Sequence, residues 1–293
     1  MVNESFDESA YLKLNPDVAE AVQRGRFSCG WDHFIAFGFR ENRPGVPAKI
    51  LRVVRDVLEA DPAEPVPPKG LRKRVHGDEN LSSFDAIGKL ISLNVFKEIH
   101  AAARLGEHSH ILDFGCGCGR VIRYFHKAYP ARKFYGTDLD GETIAWCQHN
   151  LPHVGSFISN GELPPLPFDD DFFDFIYSIS VFTHLPEDME FAWLNELRRV
   201  TKRGGYVLVT THGEELFRSA PEQPRKQLHE AGFYCSVGDG TEGLPSFYQD
   251  SFHTIDYIYN NWRNVFNINK ILKKGVANLQ DLVLCQKTGR GSV

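Results

Sequence analysis

Ile111-Leu112-Asp113-Phe114-Gly115-Cys116-Gly117-Cys118-Gly119-Arg120 reads as a buried strand running into a glycine loop that opens a helix. Glycine at 115, 117 and 119 permits positive φ and leaves no Cβ between backbone and ligand, so the chain can turn tightly under a bound nucleoside. A second acidic strand end follows at Phe134-Tyr135-Gly136-Thr137-Asp138. Asp138 stands 19 residues after Gly119, close to the distance at which a doubly wound fold places the carboxylate for a ribose diol. Asp113 would repel a pyrophosphate at the helix N-terminus and would attract a cationic group instead.

Around this stretch the pattern alternates regularly. Strands are expected at Ile111 to Phe114, Lys133 to Thr137, near Val154 to Ile158, at Phe173 to Ser178 and at Tyr206 to Thr210. Helices are expected at Arg120 to Ala128, Gly141 to Asn150 and Pro186 to Val200, which is the βα order of a parallel sheet. The last of these carries proline at its first position, Glu187 and Asp188 near its positive end, Arg198 and Arg199 in its final turn and Gly204-Gly205 as a stop. Trp262 to Ile268 with Asp281 to Gln286 looks like an antiparallel pair closing the sheet.

The Asp-x-Gly-x-Gly-x-Gly run at 113 to 119, with Leu194, Glu196, Leu197, Arg199, Val200, Gly204 and Gly205 further on, resembles class I S-adenosylmethionine-dependent methyltransferases over about Arg72 to Lys287. The resemblance implies an α/β fold with a doubly wound, mostly parallel seven-stranded sheet, and S-adenosylmethionine as cofactor. It places Asp113, Gly115, Gly117 and Gly119 under the methionine moiety and Asp138, followed by Leu139, on the ribose, with Asp140 next in line. Asn160 and Gly161 are the expected adenine contacts, with Glu162 in reserve, because Ser159 to Phe168 stands where the family has a polar side chain before a Leu-Pro-Phe phrase. Ser180 follows the fourth strand, whose end would face the transferable methyl.

Methyl transfer from a sulfonium is a direct displacement, so the protein must align the nucleophile and, for an oxygen acceptor, remove its proton. His184 and His212 follow the fourth and fifth strands, where such folds build their sites, and an imidazole suits a general base. Each could instead cap a helix or bond a carbonyl. Phe182, Tyr248 and His253 are expected at the acceptor pocket, and Arg74 or Arg72, in the basic cluster 69 to 74, at its entrance. The function expected is methylation of a small molecule or saccharide at oxygen. Methylation at nitrogen or sulfur, transfer of another group from the same cofactor, or a non-catalytic binding scaffold are the alternatives.

Residues 1–47 read as a separate short helical module, 48–70 as a helix with a proline-rich link (four prolines from 62 to 68), and 71–293 as the catalytic domain. Asn15 caps a helix that begins at Pro16, and Trp31, Phe34, Ile35, Phe37 and Phe39 crowd a second segment. About 40 residues fold poorly alone, so these aromatics should pack on the main domain, on a second copy or on a partner. The wording of the module resembles a short helical unit attached to various bacterial proteins, which carries no chemistry. A net charge of −5 lacks the basic excess that phosphate backbones demand, arguing against nucleic-acid substrates. The absence of a long apolar run or a basic-then-apolar leader suggests a cytoplasmic protein that does not enter membranes. Six cysteines with no CxxC pair imply neither zinc nor a disulfide framework, and Cys116 and Cys118 read as small packed thiols.

Overall fold

The computed structural model describes residues 5–61, 65–102, 105–106, 108–236 and 245–289. Part of the proline-rich link, including Pro62, lies outside the described residues. The N-terminal region comprises α1 (Glu8–Leu14), α2 (Pro16–Gln23) and α3 (Gly30–His33), which widens into a π turn at Phe34–Gly38. Next come α4 (Ala48–Leu58), α5 (Lys69–His76) and the long α6 (Leu81–Ala102). The alternating part is β1 (His110–Phe114), α7 (Ile122–Ala128), β2 (Lys133–Asp138), α8 (Gly141–Asn150), β3 (Ser156–Ser159), β4 (Phe173–Ser178), α9 (Glu187–Val200) and β5 (Thr201–Gly213). The chain ends with α10 (Glu222–Ala231), β6 (Phe233–Cys235), β7 (Ser251–His253), helical turns over Ile255–Tyr257 and Ile258–Trp262, β8 (Asn267–Val276) and β9 (Gln280–Gln286).

Nine strands form the sheet among the described residues, and seven of them run in the order β3-β2-β1-β4-β5-β9-β8, the doubly wound, mostly parallel arrangement that the resemblance implies. Strands β1 to β5 pair in parallel, with Leu112 opposite both Tyr135 and Ile176, and β9 runs antiparallel between β5 and β8. The chain direction of winding reverses between β1 and β4, so their C-terminal ends leave a crevice at the glycine loop. Two further short strands extend the edge: β7 lies parallel to the end of β5, with His212 opposite Phe252, and β6 pairs with β7.

Alternate side chains of each strand enter opposite cores. Ile111 and Phe175 join α6 and α7 on one face, while Leu112 and Ile176 join α9 and Trp262 on the other. Burial on both faces explains why these strands read as nearly continuous apolar runs. The N-terminal aromatics belong to the first core: Tyr11, Trp31 and Phe34 are fully buried in the same apolar cluster as α4 and α6. Their own framework is polar, with the Tyr11 hydroxyl 3.1 Å from His33 Nδ1 and the Glu8 carboxylate accepting the Gly30 and Trp31 amides at the start of α3. Phe37 stays 52 % exposed. Asn15 precedes α2 but makes no side-chain cap, because its amide donates to the carbonyls of Tyr11 and Pro44 and so ties α1 to the following turn.

Candidate active site

A single cavity at the C-terminal ends of β1, β2 and β4 gathers most of the expected residues: Asp113, Gly115, Gly117, Asp138, Leu139, Asn160, Gly161, Ser180, Arg74 and Tyr248 all line it. The glycine loop is shaped by contact as well as by φ. Gly115 has φ +79° and Gly117 φ +52°, and a Cβ on Gly117 would come within 2.5 Å of Val75 on α5. Gly119 lies behind the wall, where a Cβ would strike Leu151 at 2.6 Å, so its glycine serves packing of the loop against α8. Cys116 and Cys118 are buried, and burial pushes the Cys118 thiol up to about 12.

Asp138 is held by backbone. Its Oδ2 accepts the Gly117 N–H at 2.7 Å and its Oδ1 accepts the Asp140 N–H at 2.9 Å, which fixes the carboxylate at the rim while burial raises its pKa. Asp140 is committed elsewhere, accepting the Glu142 and Thr143 amides as the cap of α8 and lying 2.9 Å from Arg74 Nε. Asn160 Nδ2 donates to the Gly161 carbonyl, and its buried Oδ1 has no partner. Asp113 accepts the Tyr177 hydroxyl at 3.1 Å, and burial raises its pKa to about 8. Ser180 adopts φ +60°, donates its N–H to Thr210 Oγ1 and shares its hydroxyl with Gln280, so a strand end that would normally run on is turned across the cavity.

Several expected substrate contacts are placed differently. Phe182 is fully buried in the second core, 5.8 Å from the Trp262 ring, and does not line the cavity. His253 is likewise core: its Nε2 lies 2.6 Å from Glu190 Oε2, and Glu190 Oε1 accepts the Trp262 indole N–H at 2.8 Å. Both residues face inward because the short β7 and the loop after β4 alternate their side chains into the α9 packing. Arg74 lines the cavity, but its guanidinium is occupied by Asp140 and by Glu142, 2.6 Å away, pinning α5 to the start of α8. Arg72 donates to the backbone carbonyls of Pro67 and Glu79 and holds α5 in place.

His184 and His212 stand together beyond Tyr248 rather than on the wall itself. Tyr248 lines the cavity and stacks on His184 at 4.0 Å, and the two imidazoles meet edge to face at 5.8 Å. The post-β4 loop positions this layer, since Thr183 O accepts the Ser251 N–H and Leu185 O accepts the Ser251 hydroxyl. His184 Nδ1 lies 3.3 Å from both the Gln249 carbonyl and Asp250 Oδ1, which assigns the proton to Nδ1 and leaves Nε2 as a lone-pair acceptor. Burial lowers the pKa of His184 and takes that of His212 down to about 4, so both rings are neutral near pH 7. Sequence reading missed Arg120, a 9 % exposed cation on the same cavity wall, because its position reads as an ordinary first residue of a helix.

The profile of a methyltransferase domain matches residues 112–209, the segment that carries the glycine loop, Asp138, Asn160 and both flanking strands. This segment is a class I methyltransferase domain. The chain is 28 % identical to a fatty-acid O-methyltransferase of Mycolicibacterium smegmatis over 55 % of its own length and 60 % of that protein. It is 33 % identical to a phthiotriol/phenolphthiotriol dimycocerosates methyltransferase of Mycobacterium ulcerans over 34 % of its length and 36 % of that protein. A solved S-adenosylmethionine-dependent methyltransferase of Methanosarcina mazei superposes with a TM-score of 0.48 at 22 % identity, covering 66 % of this chain and 98 % of the other. The chain spans less than two thirds of the length of both sequence relatives. The cofactor of the methyltransferase domain is S-adenosylmethionine, and the wall suits it: the orphaned Asn160 Oδ1 can accept an exocyclic adenine amine, Leu139 offers apolar surface on the same wall, and the Asp138 carboxylate can accept from a ribose diol.

Proposed function

We propose that the protein transfers a methyl group from S-adenosylmethionine to an oxygen of a small molecule or saccharide. The observation that carries this reading is the orphaned Asn160 Oδ1 and the backbone-held Asp138 at one end of a cavity whose other end abuts two neutral imidazoles. When bound, the cofactor supplies an electrophilic methyl on a sulfonium. Asp138 and Asn160 orient the nucleoside, and Asp113 lines the same wall beside the glycine loop. His184 Nε2 takes the acceptor's hydroxyl proton, with Nδ1–H held by Gln249 and Asp250, and His212 lies alongside as a second uncharged acceptor. Reaching His184 requires the acceptor to displace the Tyr248 ring, so Tyr248 is a contact that the acceptor replaces. Val181, Leu185, Trp193 and Phe247 on the same wall offer apolar surface to the rest of the acceptor, which agrees with the lipid-modifying names of the two sequence relatives.

Calorimetric titration with S-adenosylhomocysteine tests the reading. The wild type should bind it, and Asp138→Ala should weaken binding by about 1.5–3 kcal/mol, the scale of lost charge-assisted hydrogen bonds. No binding by the wild type, or tight binding of NAD in its place, removes the methyltransferase function.

A further inference from the structure

A second cavity, of about 280 Å³, lies where the N-terminal region meets α6 and β8, and it shares no lining residue with the cavity at the glycine loop. One water needs about 10–15 Å³, so the space is far larger than a single buried water fills. Two buried oxygens are left over in its wall. Asn94 on α6 is 4 % exposed and its Nδ2 donates to Asp32 Oδ1 at 3.3 Å, but Asn94 Oδ1 and Asp32 Oδ2 have no hydrogen-bond partner among the described residues. Buried polar atoms are normally satisfied, and leaving one unpaired is costly. Ser28 and Cys29 stand beside Asp32 and ease its charge, but the Ser28 hydroxyl donates to Asn278 Oδ1 at 2.8 Å and a thiol is a weak donor. Lys97 faces the same space with its donors poorly used: Nζ lies 3.6 Å from Cys29 Sγ and 3.9 Å from Glu98 Oε1. The other charges are committed, Glu98 to Lys270 at 2.8 Å and Glu8 to the Gly30 and Trp31 amides. Three carboxylates, Glu8, Asp32 and Glu98, meet three ammonium groups, Lys97, Lys270 and Lys273, in the lining. A ligand of net charge, whatever its sign, would upset that balance.

We propose that this cavity is a second, non-catalytic binding site for an uncharged ligand with adjacent hydroxyl groups, a monosaccharide unit, held by Asn94, Asp32 and Lys97. Asn94 Oδ1 and Asp32 Oδ2 accept from two neighbouring hydroxyls, and Lys97 Nζ donates to one of their oxygens. Only a hydroxyl both donates and accepts without carrying charge, so a diol serves two stranded acceptors and one underused donor together. A carboxylate beside an amide suits adjacent hydroxyls for the same reason that an acidic strand end suits a ribose. Phe6 and Leu272, both partly buried, line the cavity and offer apolar surface to the C–H face of a sugar ring. An ammonium ligand would satisfy the acceptors but add positive charge beside Lys97, while a carboxylate or phosphate would suit Lys97 and leave both acceptors stranded. The site also gives the N-terminal region a part in binding, because Asp32 comes from α3 and its two partners from α6.

Ligand-observed NMR on the full chain tests this with the methyl α-glycosides of glucose, galactose, mannose and rhamnose, and with L-serine as a zwitterionic control. At least one glycoside should bind with a dissociation constant of about 1 mM, within tenfold either way, and L-serine should not. Asn94→Leu and Asp32→Asn should each weaken that binding about 10-fold or more. Ala101→Trp fills the rim at an exposed lining position, so it should abolish binding without disturbing a buried group, and it decides alone if the other two variants fail to fold. Binding of none of the four glycosides leaves the cavity to water and overturns the proposal. L-serine bound in their place overturns it in favour of a zwitterion. Glycoside binding that survives Ala101→Trp puts the sugar in the glycine-loop cavity, as an acceptor, and overturns the second site while leaving the methyltransferase reading intact.

Discussion

Replacing His184 by Ala should lower the rate of methyl transfer by about 10²- to 10⁴-fold, the range of positioned proton transfer, with S-adenosylhomocysteine affinity unchanged. The affinity should hold because neither imidazole lines the cavity that carries Asp138 and Asn160, the proposed nucleoside contacts. The pH profile follows from the sign of the shifts. A base works in its neutral form, and burial lowers the pKa of both rings, so turnover should be flat from pH 7 upward and fall only on acidification below the ordinary imidazole range near 6.5. If His212 is the base, its Ala variant carries the loss instead and the decline sets in toward about 4. Steady-state rates of the two single variants with the true acceptor decide between them. Near-wild-type turnover in both would eliminate histidine base catalysis, leaving alignment alone or a nucleophile that carries no proton.

Glu190→Ala should destabilise the fold by about 3–5 kcal/mol, the cost of removing one partner from a buried charged network. Glu190 is 0 % exposed and satisfies two buried donors, His253 Nε2 and the Trp262 indole, from the first turn of α9. Each donor left unpaired costs about 1–3 kcal/mol, and the deleted carboxylate also leaves a void between β7 and the turn at Ile258–Trp262. Glu190→Gln keeps an oxygen for one donor and should lose less. Urea melts of the three proteins measure this, with cofactor affinity of the folded variants expected to match the wild type. An Ala variant within 1 kcal/mol of wild type would mean that water takes over both bonds.

The strands and the gathering of the glycine loop and strand-end acids at one cavity were legible because their signals are local. Glycines and acids at strand ends, a proline-started α9 and apolar runs buried on both faces all act within a few residues, and β4 and α8 match the expected bounds. The acceptor half depends on pairings that no local pattern contains. His253 is claimed by Glu190, 63 positions earlier, and Phe182 by Trp262, 80 positions later, so both left the pocket for the core. Strands β6 and β7 are three residues each, too short for periodicity, and α10 carries a single buried side chain, Leu228, so its apolar face was not visible. In the basic cluster at 69 to 74, Lys69 and Lys73 stay exposed, whereas Arg72 turns into the carbonyls of Pro67 and Glu79 and Arg74 pairs with Asp140 and Glu142, long-range partners that no local pattern contains.

The order in which the chain builds its cavity separates two heritable units. The residues proposed to hold the nucleoside, Asp138, Leu139, Asn160 and Gly161, lie inside the segment that matches a methyltransferase domain, whereas Tyr248 and Asp250, which stack on and orient His184, come from beyond residue 209, after that segment has ended. Change in the second unit can therefore retune which acceptor is admitted while the first goes on holding the same donor molecule. Recombining chains of this kind near the end of β5 should alter acceptor preference without wholly exchanging it, because His184, Val181, Leu185 and Trp193 stay with the first unit, and should leave donor recognition in place.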